Sequence, residues 1–226
     1  MKEDEDEIIN SKKYDESLKV ILLGEVFTGK TSLINVFIKK KFKEDEQSTI
    51  APSYLNKIVK IGKKSYLLNI WDTAGQEQYR SMNKIFITSS DIVIFTYDIT
   101  RKKTLVELSF WLNSVEECLG KDAAIYAVLG NKLDLFDKIK ELKAKDTKNE
   151  IELVTSDDGK EFADNIGAFF LETSAKESAP GFEELIHKLV EQYNRKRNPT
   201  KKKKKFSLKN DESTSDTEHK SKCCGD

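Results

Sequence analysis

Histidine and cysteine are scarce here, with two His and three Cys in 226 residues. Neither His187 nor His219 has a partner cluster, so the chain offers no Ser-His-Asp set and no metal-spaced Cys/His group. Few cysteines also exclude a disulfide scaffold and suit a reducing compartment. Cys118 falls in an apolar helical pattern and reads as core. No apolar run approaches the length of a membrane span. The opening residues are acidic rather than basic and then apolar, so no signal peptide is expected. Lys and Arg total 39 against 39 Asp and Glu, and this zero net charge argues against bulk nucleic-acid binding. No internal repeat is visible. Hydrophobic content is low at 38%, while charged residues reach 35%. The deficit lies in the tails and in one charged stretch, so the middle can still build a core.

Length predicts one domain with tails. We expect a disordered acidic tail over 1–17, a single domain over 18–195 and a disordered basic tail over 196–226. Lys19 to Leu23 is an apolar run ending at a glycine and predicts a buried strand. Thr31 to Lys41 carries Leu33, Ile34, Phe37 and Ile38 at helical spacing. Tyr54 to Lys60 and Ser65 to Trp71 read as strands joined by a Gly62-Lys63-Lys64 hairpin. Ile92 to Tyr97 and Ile125 to Leu129 read as buried strands. One helix is expected to carry Leu105, Leu108, Leu112 and Val115 on a single face. Asp157 to Ile166 reads as a helix, Ala168 to Leu171 as a strand and Gly181 to Arg195 as the last helix. The stretch between Leu135 and Leu153 is rich in lysine and glutamate. Residues 136–152 read as a solvated insertion, with a partner-binding loop as the sharper alternative. Strands alternating with helices predict a three-layer α/β/α domain. Its six-stranded, mostly parallel sheet would carry one antiparallel strand. Ligands bind at the carboxyl ends of strands in such sheets.

Four short segments each begin where an expected strand ends. Gly24-Glu25-Val26-Phe27-Thr28-Gly29-Lys30-Thr31 fits a phosphate-binding loop between a strand and a helix. Its glycines let backbone N–H groups curl around a β-phosphate, and the helix N-terminus adds partial positive charge. Lys30 would reach the β- and γ-phosphates, the Thr31 hydroxyl would ligate Mg²⁺, and Ser32 follows in the same turn. In Asp72-Thr73-Ala74-Gly75-Gln76, Asp72 would hold Mg²⁺ through a water. Gly75 would offer its N–H to the γ-phosphate, and Gln76 would orient an attacking water as the catalytic residue.

Asn131-Lys132-Leu133-Asp134 and Thr173-Ser174-Ala175-Lys176 can read guanine. The Asp134 carboxylate can accept from N1–H and from the exocyclic amine, whereas adenine presents an acceptor at N1. Two charge-assisted hydrogen bonds supply about 3–6 kcal/mol, a preference of roughly a hundred- to ten-thousand-fold. The Lys132 stem would pack along the base, and Asn131 would tie this loop to the phosphate loop. Ser174 and Ala175 offer backbone N–H groups near guanine O6. Phe42 could stack on the base or sit in the core. Each segment alone has a bland reading as a turn or a charged surface. The ordered set points to a switch that binds GTP and GDP with Mg²⁺.

On these residues the chain resembles the Rab family of the Ras superfamily of small GTPases, from about Leu18 to Tyr193. Trp71 to Ser81 is similar to the Rab switch II. Tyr97-Asp98-Ile99-Thr100 and Glu172-Thr173-Ser174-Ala175-Lys176 resemble further Rab signatures. The Gly24-Glu25 opening is similar to that of endosomal Rabs. The resemblance places Thr49 in switch I, with its hydroxyl on Mg²⁺ and its N–H on the γ-phosphate. It also implies a monomer cycling between GTP and GDP states. Its partners would be an exchange factor, a GTPase-activating protein, a GDP-dissociation inhibitor or escort protein, and effectors that read the switch loops. Departures from the pattern are local. Val26 and Phe27 fill phosphate-loop slots where small residues are usual, and Phe27 is bulky for a turn that can require positive φ. Ile50-Ala51-Pro52-Ser53-Tyr54 and Phe86-Ile87-Thr88-Ser89-Ser90 replace the family's usual switch I and post-switch segments. The insertion after Asp134 is longer than the family's norm.

The tail supplies a location. Lys201 to Lys205 can be a solvated run or a nuclear-import signal. Followed by Cys223-Cys224, it fits best a membrane-anchoring patch beside two lipidated cysteines. Each lysine near an anionic leaflet contributes about 1 kcal/mol, and stable anchoring takes two lipid chains or one chain with a basic patch. The expected site is the cytoplasmic face of endomembranes, with an endosomal lean and a cytosolic pool. Three readings remain at this level. They are a prenylated trafficking GTPase with slow Mg²⁺-dependent hydrolysis, a nucleotide-binding scaffold with negligible or stimulation-resistant hydrolysis, and a phosphate-loop kinase or ATPase. Asn131 to Asp134 argues against the last.

Overall fold

The computed structural model describes residues 14–43, 49, 52–73, 80–145 and 153–197; for 80–83 and 143–145 it defines the backbone alone. Strand β1 is Glu16–Leu23, helix α1 Lys30–Lys39, and strands β2 and β3 are Ser53–Ile61 and Lys64–Asp72. Helix α2 is Arg80–Ile87, β4 Ile92–Asp98, α3 Lys102–Val106, α4 Leu108–Leu119 and β5 Ile125–Asn131. A 3₁₀ turn, Leu133–Leu135, leads into α5, Phe136–Lys145; then come α6 Ser156–Asn165, β6 Phe169–Glu172 and α7 Phe182–Arg197. The chain divides into Met1–Tyr193 and Asn194–Asp226. Of the second unit only the last turn of α7 is described.

The six strands run in the order β2-β3-β1-β4-β5-β6. Every pairing is parallel except β2 with β3. The expected three-layer α/β/α sheet is therefore observed. Side chains alternate across a strand. Thus Leu18, Val20 and Leu22 of β1 pack with Leu33 and Phe37 of α1 and Leu185 and Leu189 of α7. Ile21 and Leu23 face the other way and pack with Leu108, Trp111 and Val115 of α4 and Ala163 of α6. β4 and β5 are buried along their whole length, as strands covered on both faces must be.

Four details differ from the sequence expectations. β1 begins at Glu16, inside the segment read as tail, because Asp15 and Ser65 exchange hydrogen bonds that extend the edge of β3. The helix expected through Leu105 and Val115 is two pieces. At Glu107 the backbone tightens to ψ −12° while its N–H still bonds to the Lys103 carbonyl, so the apolar face continues across the bend. Residues 80–87 form α2, which had no expected element. The insertion read over 136–152 begins as a helix. Lys, Glu, Leu and Ala are strong helix formers, and Phe136 packs against the α4–α6 core. Leu142, one turn beyond Ile139, is 56% exposed.

This topology positions the site. β1, β3, β5 and β6 end at Leu23, Asp72, Asn131 and Glu172, and one of the four segments begins at or just after each end. Parallel pairing brings those ends to one rim.

Candidate nucleotide and magnesium site

The phosphate loop starts where β1 meets β4. Gly24 has φ 147°, and a Cβ there would lie 2.1 Å from the Thr96 carbonyl oxygen, so only glycine lets the loop leave the sheet. The Thr28 hydroxyl donates to the Glu25 carbonyl at 2.9 Å and closes the turn. Gly29, at φ 89°, caps α1. Lys30 folds back over the loop, its ammonium donating to the Gly24 and Glu25 carbonyls at 2.9 Å each. Its pKa is lowered to about 8, because burial outweighs the opposing charges of Asp72 and Glu25. A buried ammonium held by carbonyl dipoles at a helix N-terminus is a receptor for an anion. Phe27 occupies the left-handed region at φ 63°, as its place in the turn predicted, and its ring is 59% exposed.

Three oxygens converge beside this loop. The Thr31 hydroxyl donates to Asp72 Oδ2 at 2.7 Å and shares a 2.8 Å hydrogen bond with the Thr49 hydroxyl. They come from the start of α1, the end of β3 and the segment before β2. Hydroxyl and carboxylate oxygens are the hard ligands Mg²⁺ takes, with water completing its shell. The arrangement fits a magnesium ion bound beside a phosphate.

The other half is built around Asn131, which is 2% exposed. Its Nδ2 donates to the Thr28 carbonyl at 2.8 Å, and its Oδ1 accepts from the Ala175 N–H at 3.0 Å. One side chain thus ties the phosphate loop, the end of β5 and the loop after β6. Asp134 Oδ1 accepts from the Ser174 hydroxyl at 2.5 Å, which aims the carboxylate. The Ser174 hydroxyl in turn accepts from the Glu177 N–H at 3.2 Å. Lys132 turns in the left-handed region at φ 72° and pairs through its ammonium with Asp98 Oδ2 at 2.7 Å.

These groups line a cleft of about 310 Å³. Among the expected residues, Val26, Phe27, Gly29, Lys30, Thr31, Ser32, Phe42, Thr49, Asn131, Lys132, Asp134, Ala175 and Lys176 reach its wall. Gly24, Thr28, Asp72 and Ser174 stand behind that wall and hold it in place. Gly75, Gln76, Lys201 to Lys205, Cys223 and Cys224 lie outside the described residues. Sequence reasoning missed Thr73, Lys43 and Leu135, which also line the cleft. Thr73 donates to the Leu22 carbonyl at 2.6 Å; it lay inside a quoted segment without a role, and Leu135 directly follows one. Asp98 lay inside a quoted signature without a role.

A phosphate loop, an oxygen cluster and a base loop at the rim of such a sheet define the class: a guanine-nucleotide-binding small GTPase domain. The sequence model of the Ras family matches residues 19–195. The chain is 35% identical over 175 residues to "Ras-related protein Rab-31" of Homo sapiens, covering 77% of this chain and 82% of that protein. It is 34% identical over 158 residues to "Ras-related protein Rab5" of Nicotiana tabacum, with 70% and 72% covered. Against "Ras-related protein Rab11C" of the same plant it is 33% identical over 184 residues, with 81% and 77% covered. The chain belongs to the Ras family and, within it, to the Rab small GTPases. It is a GTPase, and its function is that of a GTP-binding switch in membrane trafficking. Guanine nucleotides and Mg²⁺ are the general ligands of this family.

Proposed function

We propose that this Rab GTPase turns over GTP slowly and resists stimulation, so that its GTP-bound state is long-lived. One observation carries the reading: bulky residues crowd the phosphate loop. Val26 lines the cleft wall, and Phe27 is held at φ 63° with its ring in solvent. Stimulation normally requires a partner's cationic side chain to reach the γ-phosphate, and it adds about 10³- to 10⁵-fold over intrinsic rates near 10⁻⁴ to 10⁻³ s⁻¹. Bulky side chains on the phosphate loop obstruct that entry more than they obstruct nucleotide binding.

In this reading Lys30 and the loop amides of 26–31 hold the β- and γ-phosphates. Thr31, Thr49 and Asp72 hold Mg²⁺, which supplies positive charge against the phosphate oxygens. Gln76 orients the attacking water and Gly75 meets the γ-phosphate. Asn131, Lys132, Asp134, Ser174, Ala175 and Lys176 hold guanine, and Phe42, which also lines the cleft, packs against the base. Exchange factor, activating protein and effectors engage the switch loops. There Tyr54, 48% exposed, lies tilted against Trp71 with ring centroids 5.4 Å apart, and Trp71 lies tilted against Phe86 at 5.3 Å. Prenylation of Cys223 and Cys224, with Lys201 to Lys205, holds the protein to the cytoplasmic face of endomembranes. A dissociation inhibitor or escort protein maintains the cytosolic pool.

The test is single-turnover GTP hydrolysis by the wild type beside Val26→Gly, with and without an activating protein. The variant is expected to respond at least about tenfold more strongly to the activator. Equal responses would remove the proposal. Competition of GTP against ATP checks the base assignment independently.

A further inference from the structure

We propose that Asp98 is a positioning residue for the base half of the cleft: it anchors the Lys132 ammonium so that the lysine stem forms a fixed wall for the purine. This rests on the guanine reading given above.

Asp98 closes β4, and the parallel register sets it beside Asn131 of β5. It is 1% exposed, and both of its carboxylate oxygens are used. Oδ1 accepts from the Thr100 N–H at 2.9 Å and the Thr100 hydroxyl at 2.7 Å. Oδ2 accepts from Lys132 at 2.7 Å. The backbone of Asp98 is pinned as well. Its N–H donates to the Thr104 hydroxyl at 3.0 Å, and that hydroxyl also lies 3.2 Å from the Asp98 carbonyl. The carboxylate is therefore fixed before any ligand arrives.

Lys132 needs such a fixed partner. Its stem is long and its rotamer freedom large, so an unanchored side chain would sweep the cleft. Its backbone lies in the left-handed region at φ 72°, and the side chain lines the cleft while 30% exposed. Two residues along stands Asp134, a second carboxylate lining the same cleft. Pairing Lys132 with Asp98 leaves Asp134 to its Ser174 partner and to the base edge. Breaking a pair with a buried carboxylate is costly because the remaining charge is stranded. The arrangement therefore holds one lysine rotamer.

The experiment measures GDP and IDP release from the full-length protein, its Asp98→Asn and Lys132→Met variants and the double variant. Inosine lacks the exocyclic amine, so IDP reports on the Asp134 contact. Asp98→Asn is expected to speed GDP release by about 10- to 100-fold, and IDP release by the same factor, because it acts through the lysine wall. In the Lys132→Met background the same change should alter release by less than about twofold or slow it. Release from Asp98→Asn within about twofold of wild type, multiplicative effects of the two substitutions, or unequal factors for GDP and IDP would each overturn the proposal. Should Asp98→Asn not fold, Lys132→Met carries the test: the stem is kept and the anchor lost, and wild-type release rates would refute the idea. If the wild type itself retains ADP as well as GDP, the guanine reading falls and takes this proposal with it. If the wild type prefers GDP while the variants behave normally, only the role of Asp98 is lost.

Discussion

Asn131→Ala is the substitution whose effect the structure fixes most closely. Asn131 is 2% exposed and bridges two loops that share no backbone ladder with each other. Alanine removes the bond from Nδ2 to the Thr28 carbonyl and the bond from the Ala175 N–H to Oδ1. It leaves both backbone partners in the interior. Each stranded buried group costs about 1–3 kcal/mol, so the total is about 2–6 kcal/mol. The backbone bonds from Thr173 to Gly130, from Leu133 to Thr173 and from Ile99 to Asn131 remain, so the sheet end itself holds. For a domain of this size 1 kcal/mol moves Tm by about 2–4 °C, which gives a drop of about 4–24 °C. The lower part of that range is expected, because water can reach Thr28 once the side chain is gone. Thermal unfolding of nucleotide-stripped protein reads the first loss. GDP release reads the second and should accelerate by about tenfold or more as the phosphate and base loops uncouple. A Tm within about 2 °C of wild type, together with unchanged release, would refute the claim that this side chain joins the two halves.

Three further outcomes follow from the same geometry. The ammonium of Lys30 is disfavoured in the folded protein, with its pKa at about 8 against 10.5 for the free side chain. Unfolded protein therefore binds more protons between those values, and stability should rise as pH climbs from about 8 toward 10.5, by at most about 3 kcal/mol. Denaturant midpoints of wild type minus Lys30→Met across that window check the slope, and a flat difference would contradict it. Gly24→Ala drives a Cβ against the Thr96 carbonyl at 2.1 Å in a backbone region alanine avoids. A loss beyond about 3 kcal/mol is expected by chemical denaturation, and a change under about 1 kcal/mol would show that the loop relaxes. Phe27→Gly relieves a left-handed φ of 63° while giving up a ring that is 59% exposed. It should raise stability by about 1 kcal/mol, read as an increase in Tm; a decrease would mean the ring has a packing role.

Most of the sheet was legible because its signal is strong and local. Ile92 to Tyr97, broken only by Thr96, and Ile125 to Leu129 are near-continuous apolar runs of strand length, as strands covered on both faces require. Helix α5 was not legible as a helix, because its apolar positions Phe136, Ile139 and Leu142 are thinly spaced and Leu142 stays in solvent. Its propensity for helix was present, but a periodic face was too weak to announce it. The bend at Glu107 was hidden for the opposite reason: the apolar period runs through it unchanged.

The chemistry of the site was written in the chain itself. A glycine-framed loop before Lys30, carboxylates at Asp72 and Asp134 and an amide at Asn131 bring their properties wherever they are placed, so the ordered motifs pointed to a guanine nucleotide with magnesium, and Thr49 joined them through the family resemblance. What held those groups at working distances was decided by the sheet. Only parallel pairing of β4 with β5 sets Asp98 beside Asn131 and within reach of Lys132, and only the close approach of β1 to β4 makes Gly24 obligatory against Thr96. Such contacts join residues far apart in sequence. Their energy depends on register, which short-range pattern does not encode.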